Sequence, residues 1–357
     1  MKKIITLSLI GAMTALPLAA QDDQSIGEII TSLVQDNAQL YLAPLPTAIG
    51  LAMNSGTFQR AAPHKIFGFD ATFSVGAILA PMDGNTYDFI IPDLNLTFPI
   101  NGTDYLIALD SDLLYPGDRT ANNIFGDAEP TTYAANATYA HDAIVTQLTS
   151  AGVSSAILAA IDGEIMTLAN NIIDAQSPQG IGFGGFIIAV PQISIGLPFN
   201  LEVSFRGGIK FDDPEIGAIN YTGFGGKIGL NGFLPSIPLI FPAISIGYYS
   251  TNLSIESAGA TLEATNSILN FQISKSIPLI TLYGGVGLEK SSLSASYDLD
   301  PGGGLAVIPI TFDLDGENSF RTVVGLRLKL LLLTFHGAYI QAADYTGLYG
   351  GMGITFR

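Results

Sequence analysis

The stretch that most constrains this chain is residues 199–211, FNLEVSFRGGIKF. Its odd positions are Phe199, Leu201, Val203, Phe205, Gly207, Ile209 and Phe211. Its even positions are Asn200, Glu202, Ser204, Arg206, Gly208 and Lys210. Side chains alternate between the two faces of a strand. One face is therefore aromatic and aliphatic, and the other carries both signs of charge. At about 3.3 Å per residue the stretch is roughly 43 Å long. Tilted by about 45°, it rises roughly 30 Å, enough for an apolar membrane band of about 25 Å. A half-buried strand of a soluble sandwich shows the same alternation, so the rest of the chain has to decide.

Composition leans toward lipid. Only 13% of the 357 residues are charged, where soluble domains average about 25%. Mean hydropathy is +0.41. Beyond the N-terminus no run of 18 apolar residues exists, so no spanning helix is expected. The longest apolar stretch, 234–249, is broken by Pro235, Pro238 and Pro242. With lipid outside and no spanning helix, every backbone group has to be paired in a closed barrel.

Residues 1–20 read as a secretory leader: Lys2 and Lys3, an apolar run from Ile4 to Leu18, then Ala19 and Ala20. Cleavage is expected after Ala20. Losing Lys2 and Lys3 would take the formal charge from −17 to about −19. So acidic a chain is not built for nucleic acid. There is no cysteine, which excludes a lipid anchor on cysteine, a disulfide and a thiolate metal site.

Residues 25–40 read as a short amphipathic helix with a Ser25/Glu28 capping pair. The Pro-, Gly- and Ala-rich stretch 41–62 is too irregular for a membrane strand and too apolar for a free tail. Residues 21–64 are expected to tuck into the barrel as a plug-like segment; a periplasmic extension is the alternative. Strands follow at 65–77, 85–98 and 103–110, the last two joined at Asn101-Gly102, a favoured tight-hairpin pair. Residues 112–180 break the pattern as a loop and helical insertion. Within 134–173, Ile157, Ile161, Ile165, Leu168 and Ile172 form one apolar stripe.

From Gly182 the alternation resumes, with strands expected at 183–196, 199–211, 217–230, 240–256, 262–275, 279–296, 319–330, 333–341 and 345–357. Three strands before the insertion and nine after it give an all-β, closed antiparallel transmembrane barrel of about twelve strands, with fourteen as the alternative. Alternating turn lengths put both termini on the periplasmic side and 112–180 outside. That count requires Ile308 to Leu314 to belong to a long loop, in a hairpin beyond the barrel wall.

The expected inward face carries Glu202, Arg206, Lys210, Lys227, Glu289, Arg321, Arg327 and Lys329, with His336. Buried charges must pair or meet water. They either line a wet channel or form ion pairs around the N-terminal segment. His336 is a lumen-lining residue or a plain polar filler, and His64 a boundary residue at the barrel entrance. His64, His141 and His336 have no metal-ligand spacing. The acidic run 313–318 lacks the full spacing of a calcium loop and reads as a turn. There is no Gly-x-Ser-x-Gly elbow. The reading is of a non-enzyme without cofactor.

Several short motifs carry a resemblance: Tyr41-Leu42-Ala43-Pro44, Asn54-Ser55-Gly56, His64-Lys65 before Phe67-Gly68-Phe69, Val190-Pro191-Gln192 and Gly196-Leu197-Pro198. Through them the chain resembles a family of Gram-negative outer-membrane barrels known as a domain of unknown function. At greater distance it is similar to the long-chain fatty-acid transporter barrels. That second likeness implies an N-terminal hatch and a small hydrophobic ligand, with fourteen strands where twelve are counted here. The implied partners are outer-membrane lipid, the barrel-assembly machinery and such a ligand, for a monomer. The competing reading is a structural or surface-interaction barrel without a transported substrate.

Overall fold

The computed structural model describes residues 34–81, 84–213, 217–233, 241–300 and 306–356. The expected leader, and residues 25–33 of the expected first helix, lie outside them. In chain order, α1 (Gln35–Leu42) and α2 (Leu45–Met53) precede β1 (Phe69–Leu79). The insertion contributes β2 (Leu94–Ile100), β3 (Thr103–Leu109), α3 (Ala137–Ser150) and α4 (Ser155–Asn170). Then come β4 (Gly185–Leu197), β5 (Leu201–Asp213), β6 (Gly217–Gly229), β7 (Ala243–Ser257) and β8 (Ala260–Ser276). The chain ends with β9 (Ile280–Leu299), β10 (Ile308–Asp315), β11 (Phe320–Leu330), β12 (Leu333–Ala342) and β13 (Tyr345–Phe356).

Ten of these strands close a ring. It runs β1, β4, β5, β6, β7, β8, β9, β11, β12, β13 and back to β1, each neighbour antiparallel. The first strand meets the last in unbroken register, from Phe69 opposite Phe356 to Leu79 opposite Thr346. Closure leaves the ring no free edge, the liability of any open sheet.

The count is ten among the described residues, not the twelve expected. All nine strands after the insertion are in the ring, but only one of the three before it. β2 and β3 pair with each other and with no barrel strand. Their Asn101-Gly102 turn has positive φ at both residues, 50° and 82°, as a tight type I′ hairpin needs. The local alternation is real, but the apolar face meets helices instead of lipid. The expectation for Ile308 to Leu314 agrees with the pairing: β10 lies only along residues 292–299 of β9, while residues 280–288 of β9 hold β11.

The ring sorts its side chains as the alternation predicts. Val324 is 70% exposed and Phe224 66%, whereas Arg206 is 0% and Arg321 1% exposed. Outside, Phe205 packs on Phe224 across neighbouring strands with ring centroids 5.2 Å apart. Leu269, Phe271, Leu282, Leu288, Tyr339, Leu348 and Met352 continue this exposed apolar belt.

One irregularity inverts the pattern. Tyr221 pairs with Ile209, and the next residue, Thr222, pairs with Gly207, which leaves Gly208 as an extra residue. Gly207 and Gly208 both have φ +83°, a conformation that costs other L-residues about 1–2 kcal/mol. A Cβ on Gly207 would stand 2.3 Å from the Tyr221 carbonyl oxygen. One extra residue moves every later side chain to the opposite face.

The insertion is a compact unit of its own, made of residues 86–122 and 129–179, wider than the 112–180 expected. Its core joins Phe98, Ile100, Ile107 and Leu109 of the hairpin to Ile144, Leu148 and Ile165 of the helices. The expected stripe faces this core, with Ile157, Ile161, Leu168 and Ile172 packed against it. The single helical stretch expected at 134–173 is two helices. Asn136 caps the first by accepting from the Tyr139 amide. Ser154 caps the second by accepting from the Ile157 amide, and Gly152 turns between them at φ +89°.

Candidate functional site

Inside the ring, the polar wall meets the N-terminal segment. Every residue of α2, LPTAIGLAM, is buried. A helix apolar on all sides has no solvent face to offer, and Pro46 sits in its first turn, where a missing amide costs nothing. The helix packs against β9, β4, β8 and β1. Its closest approach is at Gly50, where a Cβ would fall 2.6 Å from Ser291 Cβ.

The last carbonyls of a helix lack internal partners and carry the negative end of its dipole. Those of Gly50, Leu51 and Ala52 are met by Asn54 and Ser55 themselves, and two wall arginines reach the cap residue and the one after it. Arg321 Nη2 donates to the Asn54 carbonyl at 2.6 Å, and Arg206 Nη2 donates to that of Ser55. Asn54 Nδ2 donates to Glu289 Oε1 at 3.1 Å, and Asn318 Nδ2 to Glu289 Oε2 at 2.7 Å. Arg321 Nε lies 3.3 Å from Glu289 Oε1. Arg206 Nε donates to the Tyr221 hydroxyl at 3.1 Å.

Nearer the end that carries β1's start and β13's finish, a line of charge crosses the lumen. Lys227 Nζ is 3.1 Å from Glu202 Oε1. Glu202 Oε2 accepts the His64 amide at 2.9 Å and stands 2.7 Å from His64 Nδ1. His64 Nε2 is 3.2 Å from Asp70 Oδ2, and Arg327 Nη2 is 2.9 Å from Asp70 Oδ1. Lys227 also donates to the Arg60 carbonyl at 2.8 Å. All five side chains of the line, from β6, β5, the segment, β1 and β11, are no more than 7% exposed.

Of the expected lumen residues, Glu202, Arg206, Lys227, Glu289, Arg321, Arg327 and His336 are buried together. Lys210 is not among them. It lies past the Gly207-Gly208 bulge, opposite the exposed Asn220, and is itself exposed. The extra glycine corrects the inward assignment by flipping the face. Lys329 shares the parity of Arg321 and Arg327 but is exposed beside the 331–332 turn. His64, expected at a boundary, is instead the centre of the charge line. Asp70 lay on the polar face of its strand and Arg60 in the irregular stretch; no local pattern marked either. Only Pro63-His64-Lys65, a polar break before a strand, hinted that the chain there meets the wall.

Ser74 Oγ lies 2.9 Å from His336 Nε2. A hydroxyl beside an imidazole suggests nucleophilic chemistry, but a working base needs a third group to orient it. His336 Nδ1 has no hydrogen-bond partner among the described residues. The contact links β1 to β12 across β13.

Residues 1–356 match the model of DUF6588, a family of unknown function. The chain belongs to that family. No curated protein matches it. Among solved structures, it is similar to a loop L8 deletion mutant of OmpT, an outer membrane protein of Vibrio cholerae. The identity is 10%, covering 81% of this chain and 98% of that one, with a TM-score of 0.25. A mutant of the Rh. blastica porin is similar at 8% identity, 81% and 99% coverage, and a TM-score of 0.14. At such scores neither similarity bears on function, and the DUF6588 barrel is read from its own geometry.

Proposed function

We propose that this protein is a monomeric outer-membrane β-barrel whose N-terminal segment closes its own lumen. Small molecules pass or bind inside once that segment shifts. One contrast supports this reading: the outer wall is an exposed apolar belt, while the inner wall is charged and grips residues 34–64. A soluble protein rarely leaves more than a few hundred Å² of contiguous apolar surface bare. Lipid tails would cover this belt, and a barrel needs nothing else to satisfy its backbone there. Insertion into the membrane would fall to the barrel-assembly machinery.

The lumen argues for polar cargo. An apolar ligand of the kind the transporter likeness implies would have to pass Arg206, Arg321, Glu289, Asp70 and Glu202. Ten strands also part the chain from the fourteen of that family. The test is permeability: removing residues 22–60 should make proteoliposomes leak a small sugar or amino acid that the full chain retains. A correctly inserted deletion variant that stays sealed would end the gated-pore reading.

A second reading has its own observation. The insertion has an independent hydrophobic core, and the chain leaves the ring after Leu79 and rejoins it at Gly185. On this reading the barrel is a pedestal that presents a folded unit outside the cell. Protease treatment of intact cells should then cut within 86–179. Cleavage there only after lysis would reverse the orientation.

A further inference from the structure

The charged lumen does not balance. Four buried basic side chains, Arg206, Lys227, Arg321 and Arg327, face three buried carboxylates, Asp70, Glu202 and Glu289. Lys227 pairs with Glu202, Arg327 with Asp70 and Arg321 with Glu289. Arg206, fully buried, has no carboxylate partner among the described residues; its contacts are a tyrosine hydroxyl and a backbone carbonyl. Arg60, partly buried and with an unpartnered Nε, adds a further cation to the lumen. A buried charge without an opposite charge is costly. This happens in a chain whose formal charge is −17.

The fully buried unmatched cation, Arg206, sits beside a second arginine. Arg206 and Arg321 bind the carbonyls of consecutive residues, Ser55 and Asn54. That brings the two guanidinium groups to neighbouring carbonyls just past the end of α2. Each also has an Nη1 atom that is buried and has no hydrogen-bond partner among the described residues. Guanidinium groups offer a planar fork of N–H donors that matches carboxylate and phosphate oxygens. Neutral carbonyl oxygens occupy only one arm of each fork.

We propose that Arg206 and Arg321 form a binding site for a small oxyanion, a carboxylate or phosphate group, which competes with the Asn54 and Ser55 carbonyls for these donors. The anion is then both ligand and opener: its full charge outbids two neutral carbonyls. This inference rests on the gated-barrel reading and names the chemistry of its ligand.

The test uses the full chain, folded in detergent, and inorganic phosphate as probe. Equilibrium dialysis should show saturable binding near one phosphate per chain, displaced by sulfate and not by chloride at equal ionic strength. Arg206→Gln should weaken it at least ten-fold, with Arg206→Lys intermediate. The chain has no cysteine, so Ser55→Cys gives a unique thiol. Its labelling by a water-soluble maleimide should speed up several-fold as phosphate saturates. No saturable binding to the folded wild-type chain would overturn the proposal. So would binding that a folded Arg206→Gln leaves unchanged, or labelling indifferent to phosphate. Should Arg206→Gln fail to fold, Arg321→Gln and Arg206→Lys carry the same test. Conductance plays no part in the assay. A chain that binds phosphate but never conducts fails as a pore, while one that conducts without binding phosphate fails only here.

Discussion

His64 Nδ1 stands 2.7 Å from Glu202 Oε2 across 138 residues of sequence, with both side chains no more than 4% exposed. The same carboxylate holds Lys227 through its other oxygen. Glu202 is therefore the joint between the barrel wall and the N-terminal segment.

Glu202→Gln should release that joint. Removing one partner of a buried ion pair typically costs about 3–5 kcal/mol, because the other charge stays behind. The loss should fall on the segment first, since the ring's own hydrogen bonds are untouched. Proteolysis within residues 34–64 should accelerate while the folded barrel persists. A further Lys227→Met change should restore most of the protection. Equal protection in Glu202→Gln and wild type would remove the ion pair from the account.

The bulge makes a prediction about faces. In single-cysteine variants, Lys210→Cys should react with reagents reaching the outside of the barrel, and Lys227→Cys should not. Gly207→Ala should destabilise by more than the about 1–2 kcal/mol of a left-handed backbone at a residue with a Cβ, because that Cβ would also meet the Tyr221 carbonyl oxygen. A silent Gly207→Ala in a chemical unfolding series would mean that the strand pairs without the extra residue.

Two glycines should respond in opposite senses. Gly50→Val adds atoms where Ser291 Cβ is 2.6 Å away from a Cβ, so overpacking should cost about 1–3 kcal/mol and loosen α2. Gly163 lies in α4 with nothing within 4 Å of an added Cβ. Gly163→Ala should therefore stabilise the insertion by up to about 1 kcal/mol, the helix-propensity difference. Thermal unfolding of the two variants, followed with the parent, checks both signs.

The insertion should lose a little stability as pH rises through the folded pKa of His141. His141 on α3 contacts Asp142 and, on α4, Asp162, both at 3.0 Å. Hydrogen bonds to Asp142 and then Asp162 raise its pKa above the ordinary histidine value. A raised folded value means that the contribution is complete below the unfolded pKa and is lost as pH climbs through the folded one. For such exposed partners it is worth about 0.2–1 kcal/mol. Hydrogen exchange of the α3 and α4 amides should quicken over that window, and Asp162→Asn should flatten the effect. A response that survives Asp162→Asn would point to a different group.

The residues alone determined a great deal. Alternation from Gly182 onward marked all nine later barrel strands and told the oily face from the charged one. Seven of the nine inward candidates are buried. What alternation cannot state is what an apolar face meets. In residues 94–109 it meets helices, because the tight Asn101-Gly102 hairpin pairs only with itself, and the ring closes at ten. Nor can a period of two survive one added residue, so the Gly207-Gly208 bulge turned Lys210 outward without a trace in composition. Glu202 is 138 residues from His64, and Arg327 is 257 from Asp70; only closure of the barrel around residues 34–64 brings them within hydrogen-bond reach. Local pattern follows from local sterics, whereas pairing across the lumen follows from where the whole chain ends up.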